Sequence, residues 1–432
     1  MRSFLLTSVL TFAVSCSQPQ EDHSNVTSSK ANIIPSPAAG VALAPSETKT
    51  DSEDDIPREQ FTDGAKAFAT LRESLLKEYY ASGITEEDLY RAATQGMLER
   101  IDPKMKKWNK LLSPSEVALL RTDLKGEFVG IGTQIRFEEG TGYSDVIGVI
   151  AGTPSAKAGL AVGDKIVSIN GKVYRGMKLR DVVSDLRGKS GDSVTLSVLR
   201  SDRLIPFSIK RETVSYDSVM SLLLADEVGY LRIRSFSGKT VPMLRASLED
   251  FAAKKVHALV VDLRDNQGGL FDEAVATAQL MLAAGTPIVT VKKRDQKDET
   301  RVSKTEAPLL GQLPMAVLVG RETSSGAELL TAALQEGRHA PVVGGRTLGK
   351  WSLQVMKDLG NGYTAKFTTG LFASPSGRSF DGVGMMPDVE VAMDEKQVIQ
   401  ALAITESEPR LSADPQLRTA IAMLRIQIRR SN

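Results

Sequence analysis

Apolar and polar positions change rhythm several times along the chain. Over 61–81, Phe68, Leu71, Leu75 and Leu76 recur at helical spacing, and the stretch ends at Tyr79-Tyr80. Thr85-Glu-Glu-Asp opens a second helical stretch, in which Leu89, Ala93, Met97 and Leu98 continue one face until Asp102-Pro103 stops it. Ser113-Pro-Ser-Glu begins a third. The simplest use of these stripes is as core. From about Lys125 to Arg211 the pattern shortens to runs at 146–150, 165–169 and 193–199, separated by turn signals such as Asn170-Gly171. This predicts a compact, mostly β module with helical pieces at 154–158 and 178–186. After Val214, strand-like and helix-like stretches alternate: strand 228–236, helix 240–254, buried strand 258–264, helix 272–284. Met315-Ala-Val-Leu-Val-Gly320 then reads as a buried strand, Ala327 to Leu334 as a helix and Pro341-Val-Val as another strand. Such alternation argues for a parallel or mixed sheet with crossover helices. A last strand at 363–369 precedes a polar helical tail from Asp394. Apolar residues at helical spacing over 417–430 serve either to pack on the core or to contact another copy.

The N-terminus follows a different rule. Met1-Arg2 and the apolar run 4–14 form a targeting segment, and Ala13-Val-Ser-Cys16 resembles the lipobox of bacterial lipoproteins. That resemblance implies lipidation of Cys16 and attachment to a membrane of the cell envelope; the alternative is an ordinary secretory peptide with an incidental cysteine. Cys16 is the only cysteine, so no internal disulfide is expected. Residues 17–58, rich in Ser, Pro, Asp and Glu, have too little apolar content to pack and read as a disordered tether. With 54 Lys+Arg against 53 Asp+Glu, nothing argues for a nucleic-acid partner. No His/Cys/Glu cluster has ligand spacing, so neither metal nor cofactor is expected.

Candidate chemistry gathers after the strand at Met315. Thr323, Ser324 and Ser325 stand where a strand turns into a helix, at an N-terminus whose N–H groups and dipole favour developing negative charge. Hydroxyls there also serve as plain N-caps. Lys350 lies between glycine-rich chain and Trp351, a poor setting for a solvated lysine, and desolvation lowers a lysine toward a usable base. The chain has three histidines, His23 in a polar tail, His257 entering an apolar strand and His339 between the helix and the next strand, so for a serine activated here lysine is the expected base.

These residues resemble the carboxyl-terminal processing proteases, or tail-specific proteases, which use a Ser-Lys dyad oriented by Gln. The family's small-residue run followed by Glu reads here Thr323-Ser-Ser-Gly-Ala-Glu-Leu329, and its Gly-Lys-Gly-x-x-Gln motif reads Gly349-Lys-Trp-x-x-Gln354. The family's spacing of 25 from nucleophile to base selects Ser325 rather than Ser324 as the partner of Lys350. Trp351 departs from the family's glycine. Asp262-Leu-Arg264 followed by Asn266 and Gly268-Gly269 is a second match, with Gln267 where the family has proline. The resemblance implies an oxyanion hole made by the N–H of Gly326 and that of either Gly268 or Gly269.

In the β module, Gly152-Thr-Pro-Ser-Ala-Lys-Ala-Gly-Leu160, Val162-Gly-Asp164 and Ile169-Asn-Gly171 resemble a PDZ domain, with Gly126-Glu-Phe-Val-Gly-Ile-Gly132 as the carboxylate-binding loop. Consecutive N–H groups around Gly130, Ile131, Gly132 and Thr133 suit a terminal carboxylate, and the strand after them has an edge that a peptide can join. Val182, Val183 and Leu186 either line the pocket or belong to the core.

The expected fold class is α/β, in an α+β multidomain chain: signal peptide 1–16, tether 17–58, helical region 59–124, PDZ domain 125–213, mixed-sheet peptidase core with crossover helices 214–394, and helical segment 395–432. The expected partners are proteins or peptides with accessible C-termini, a membrane through the lipid anchor, an activating adaptor protein and a second copy of the chain.

Overall fold

The computed structural model describes residues 63–138, 142–177, 179–404 and 407–431. The targeting segment with Cys16 and the tether lie outside the described residues.

Two helices, α1 (Gly64–Glu78) and α2 (Glu86–Arg100), form the first part, joined to each other by Arg72–Glu86 at 3.0 Å and by the Phe68 and Tyr90 rings at 6.2 Å. Their apolar stripes are not core: neither helix contains a buried residue, and Leu71 and Met97 are exposed. A pair of helices by itself encloses too little volume to bury a stripe.

Downstream come β1 (Lys110–Leu112), α3 (Pro114–Leu124) and β2 (Glu127–Gly130). Ser113 and Glu116 close a reciprocal cap at the head of α3, as the Ser-Pro-Ser-Glu pattern predicts. The β module holds β3 (Thr133–Glu138), β4 (Tyr143–Val149), α4 (Pro154–Ala158), β5 (Lys165–Ile169), β6 (Lys172–Val173), α5 (Leu179–Leu186), β7 (Ser193–Arg200) and β8 (Arg203–Lys210). Its sheet runs β3-β4-β5-β7-β8, leaving β3 at an edge. Val182 and Leu186 are buried in this module's own core with Ile131, Val146 and Ile166. The next strand, β9 (Glu212–Ser215), pairs with β2, so one antiparallel ribbon carries the chain both into and out of the module.

The remaining chain forms β10 (Val219–Leu223), β11 (Val228–Ile233), α6 (Thr240–Ala253), β12 (Ala258–Asp262), α7 (Phe271–Met281), β13 (Pro287–Lys293), β14 (Glu299–Val302), β15 (Met315–Val319), α8 (Gly326–Arg338), β16 (Val342–Gly344), β17 (Ser352–Asp358), β18 (Thr364–Ala373), β19 (Val389–Glu390), α9 (Glu395–Ala403), α10 (Ser407–Ala413) and α11 (Pro415–Ser431). One sheet runs β10-β11-β12-β15-β16-β19, parallel from β11 to β19. Every residue of β11, β12, β15 and β16 is buried, as both faces of a covered parallel sheet require. Leu259, Val261, Val317 and Val319 face α6, α7 and α8; Val260, Ala316, Leu318 and Val343 face α11 through Leu417, Ala420, Ile421 and Leu424. The C-terminal apolar stripe therefore packs on the core.

A second, antiparallel sheet runs β1-β18-β13-β14, with β17 paired to β18. A register shift between Leu353 and Gln354 leaves Thr369 without a partner in β17, a bulge that re-aims the side chains beside it.

Candidate active site

β12 and β15 are parallel neighbours, so the loops after them emerge side by side at the carboxyl end of the sheet, where ligands gather in such folds. The loop after β15 ends at Ser325, with φ 56° and ψ −119°, directly before α8. For a side chain this backbone is strained by about 1–3 kcal/mol and persists only when its surroundings over-determine it. They do. Thr323 Oγ1 donates to Leu263 O at 2.7 Å, and the Ser324 N–H donates to Asn266 O at 3.0 Å. Thr323 and Ser324 are buried, whereas Ser325 is half-buried, so the fold separates the three hydroxyls that composition could not.

The glycine loop fits against this turn. A Cβ on Gly268 (φ 95°) would lie 2.8 Å from Ser325 Cβ and 3.1 Å from Gly326 N; one on Gly269 (φ 146°) would lie 2.2 Å from Phe236 O. Each glycine thus has its own reason: one lets the loop touch the serine, the other lets it run beside Phe236. Asn266 joins the pieces, donating from Nδ2 to Ile233 O and accepting the Gly268 N–H at 2.7 Å. Gln267, in place of the family's proline, donates to Glu322 at 3.0 Å and ties the two loops together. A cavity of about 200 Å³ opens in front of Gly268 and Gly269, lined also by Phe128, Arg187 and Tyr216.

Lys350 arrives from the loop between β16 and β17. Its amine lies 4.6 Å from the Trp108 ring centroid. Burial first, then Lys366 and Lys107, hold it down to about 8, with Glu328 pulling the other way. The desolvating wall is therefore Trp108; Trp351 turns into the core, buried against Phe380 with rings 5.0 Å apart, and its backbone N–H donates to Asp381 Oδ1. Gln354 Nε2 donates to Trp108 O at 2.9 Å. No hydrogen bond joins the Ser325 and Lys350 side chains among the described residues.

Glu328, one turn into α8, is fully buried and accepts from the N–H groups of Ser325 (3.0 Å), Gly349 (2.8 Å) and Lys350 (2.8 Å) and from Thr347 Oγ1 (2.5 Å). Burial pushes its carboxyl up, while these four donors favour the charged form. One side chain thus fastens the serine turn to the lysine loop. Its local signal is the Ser-x-x-Glu spacing of a helix cap. Trp108 had no sequence signal, because it meets Gln354 across 246 residues.

In the β module, Gly132 (φ 82°) passes so close to Thr153 that a Cβ would lie 2.3 Å away. The carbonyls of Ile131 and Gly132 accept from Ser155 N and Ile150 N, while the N–H groups of Ile131 and Gly132 donate to no other described residue.

Comparison with known proteins makes this chain a serine-type peptidase carrying a PDZ domain. Residues 227–391 match Peptidase family S41 and residues 146–200 match the PDZ domain family. A carboxy-terminal-processing protease of Bartonella bacilliformis is 32% identical over 343 residues, covering 78% of this chain and 77% of that one. The carboxy-terminal processing protease CtpA of Bacillus subtilis is 30% identical, covering 75% and 68%. A putative S41 protease from Bacteroides fragilis shares the fold at TM-score 0.53 and 18% identity, over 83% of this chain and 96% of that one. The chain belongs to the carboxy-terminal processing proteases of family S41.

Proposed function

We propose that this protein is an endopeptidase of the bacterial cell envelope, anchored by lipid at Cys16, that captures the C-terminal end of a protein substrate on its PDZ domain and cleaves with a Ser325–Lys350 dyad. The observation that carries the reading is the shared anchorage of Ser325 and Lys350 on Glu328, which ties the loop of a strained helix-head serine to that of a lysine whose amine is held near 8.

In this mechanism neutral Lys350 takes the Ser325 Oγ proton as the oxygen attacks the peptide carbonyl, forming a tetrahedral oxyanion. Gly326 N–H, the first of α8, and Gly269 N–H donate to no described residue and are the donors offered to that oxyanion; Gly268 N–H is held by Asn266. Protonated Lys350 then delivers the proton to the leaving amine. Water, deprotonated by the same lysine, releases the acyl group and regenerates Ser325. Gln354 holds the amine in line. The N–H groups of Ile131 and Gly132 receive the substrate's terminal carboxylate, and its strand adds to the edge of β3.

Cleavage of a flexible model protein by wild type, Ser325→Ala and Lys350→Ala, each with and without a tail peptide, tests this. Loss of cleavage in both variants with peptide binding retained supports it; equal cleavage by all three refutes it. The missing Ser325–Lys350 hydrogen bond favours a second reading, in which an adaptor or docked tail completes the dyad, and a rise in wild-type cleavage on adding tail peptide supports that reading.

A further inference from the structure

Trp108 lies in the turn before β1, outside residues 227–391, yet it touches both side chains assigned to the basic half of the dyad. The Lys350 amine lies 4.6 Å from its ring centroid, and Gln354 Nε2 donates to its carbonyl at 2.9 Å. The turn is itself pinned. Trp108 N and Asn109 N both donate to Met105 O, Met105 and Asn109 are buried, and Asn109 Oδ1 accepts the Thr368 N–H at 3.0 Å. Thr368 pairs with Gln354 beside the β17–β18 bulge, so residues 108 and 109 bond to both strands next to it.

We infer that Trp108 is a positioning residue of the catalytic lysine: its indole ring seats the Lys350 amine, and its backbone carbonyl fixes the Gln354 amide. Because the Gln354 NH₂ is committed to that carbonyl, Oε1 is the end left to accept from the lysine. The ring does two opposed things. It favours a cation through its face, and it excludes the water that would stabilise a cation far more. Lys107, 4.8 Å from the same ring, and Lys366 on β18 add like charge; Glu328 opposes them. The net result is a dry, crowded amine that releases its proton near neutral pH. This inference rests on the reading of Lys350 as the base.

Competitive acetylation of the full chain with acetic anhydride between about pH 6 and 11, read at Lys350 by mass spectrometry, follows the amine without any need for turnover. In parallel, the pH dependence of kcat/KM follows catalysis. Wild type and Trp108→Phe, which keeps a ring and the carbonyl, are expected to titrate alike near 8. Trp108→Ala is expected to move Lys350 up by about one pH unit, and the acid limb of kcat/KM with it, a loss of about tenfold at pH 7. Melting temperatures check folding; should the alanine variant not fold, Trp108→Gln carries the same test. A folded Trp108→Ala or Trp108→Gln whose Lys350 titrates with wild type overturns the seat and leaves the dyad standing. A Lys350 that follows the ring while Ser325→Ala and Lys350→Ala cleave as wild type does supports the seat and sinks the dyad.

Discussion

Ser325 leaves a parallel sheet at the end of β15, a strand buried at every residue, whereas Lys350 leads into β17, whose burial decreases toward a solvent-facing turn. The serine turn is gripped by two directional bonds, Thr323 to Leu263 and Ser324 to Asn266, and the Gly268 backbone packs against Ser325 itself. The lysine amine is set by weaker, longer-range forces, an aromatic ring and the charges of Lys366, Lys107 and Glu328. A nucleophile needs a fixed position, and a base needs an adjustable proton affinity. The two holdings suit the roles proposed for Ser325 and Lys350.

The contrast breaks most completely at the base. Lys350→Arg preserves the positive charge but cannot become neutral, so cleavage of a flexible protein is expected to fall by about 10,000-fold with little change in melting temperature. On the serine side, Gly268→Ala forces a methyl to 2.8 Å from Ser325 Cβ at a φ that disfavours side chains. A loss of about 100- to 1,000-fold in kcat is expected, the scale of a damaged oxyanion site, and steady-state kinetics will show it. The wild-type pH profile sharpens the comparison further. Below about 8 the base is protonated and cannot accept a proton, so kcat/KM is expected to fall about tenfold per pH unit toward acid. Lys366→Met removes a like charge from beside Lys350, makes that amine easier to protonate and shifts the acid limb upward. A two- to fivefold loss at pH 7 is expected, with activity recovered at higher pH.

The stability of the fold carries the same signature. Lys350 binds its proton more weakly in the folded chain than in the unfolded one, where a lysine titrates near 10.4. Between about 8 and 10.4 the unfolded chain therefore holds the extra proton, and the Lys350 contribution to stability improves as pH rises through that window. Lys350→Met is expected to stabilise the fold at pH 7 by about 1–3 kcal/mol in thermal melts, while abolishing cleavage.

Much of the serine side was legible in the sequence, because it is local. A buried strand, a small-residue turn and a helix head follow one another in the chain, and the paired glycines after Asp262-Leu-Arg264 announce a backbone that must come close to something. What they come close to was not legible: Gly269 answers to Phe236, which lies in a different loop. The lysine side was legible only in outline. Trp351 looked like the desolvating group because it is adjacent in sequence, but alternation along the backbone points it into the core. The wall is supplied by Trp108, from a turn that precedes the PDZ module. The N-terminal helices show the opposite failure. Their periodicity identified helices correctly, but periodicity says which residues share a face and nothing about what covers it.

Arg264, in the strand-end motif, is wholly buried and divides its guanidinium between Asp262 and Asp414, which follows it by 150 residues. Gln416 accepts from the same group, and α11 lies over the sheet just beyond. During synthesis the strand bearing Arg264 leaves the ribosome long before Asp414 does. Without Asp414 the buried Arg264 guanidinium would keep only part of its counter-charge, a costly arrangement. The footing of the glycine loop is therefore completed only by a segment 150 residues further along the chain.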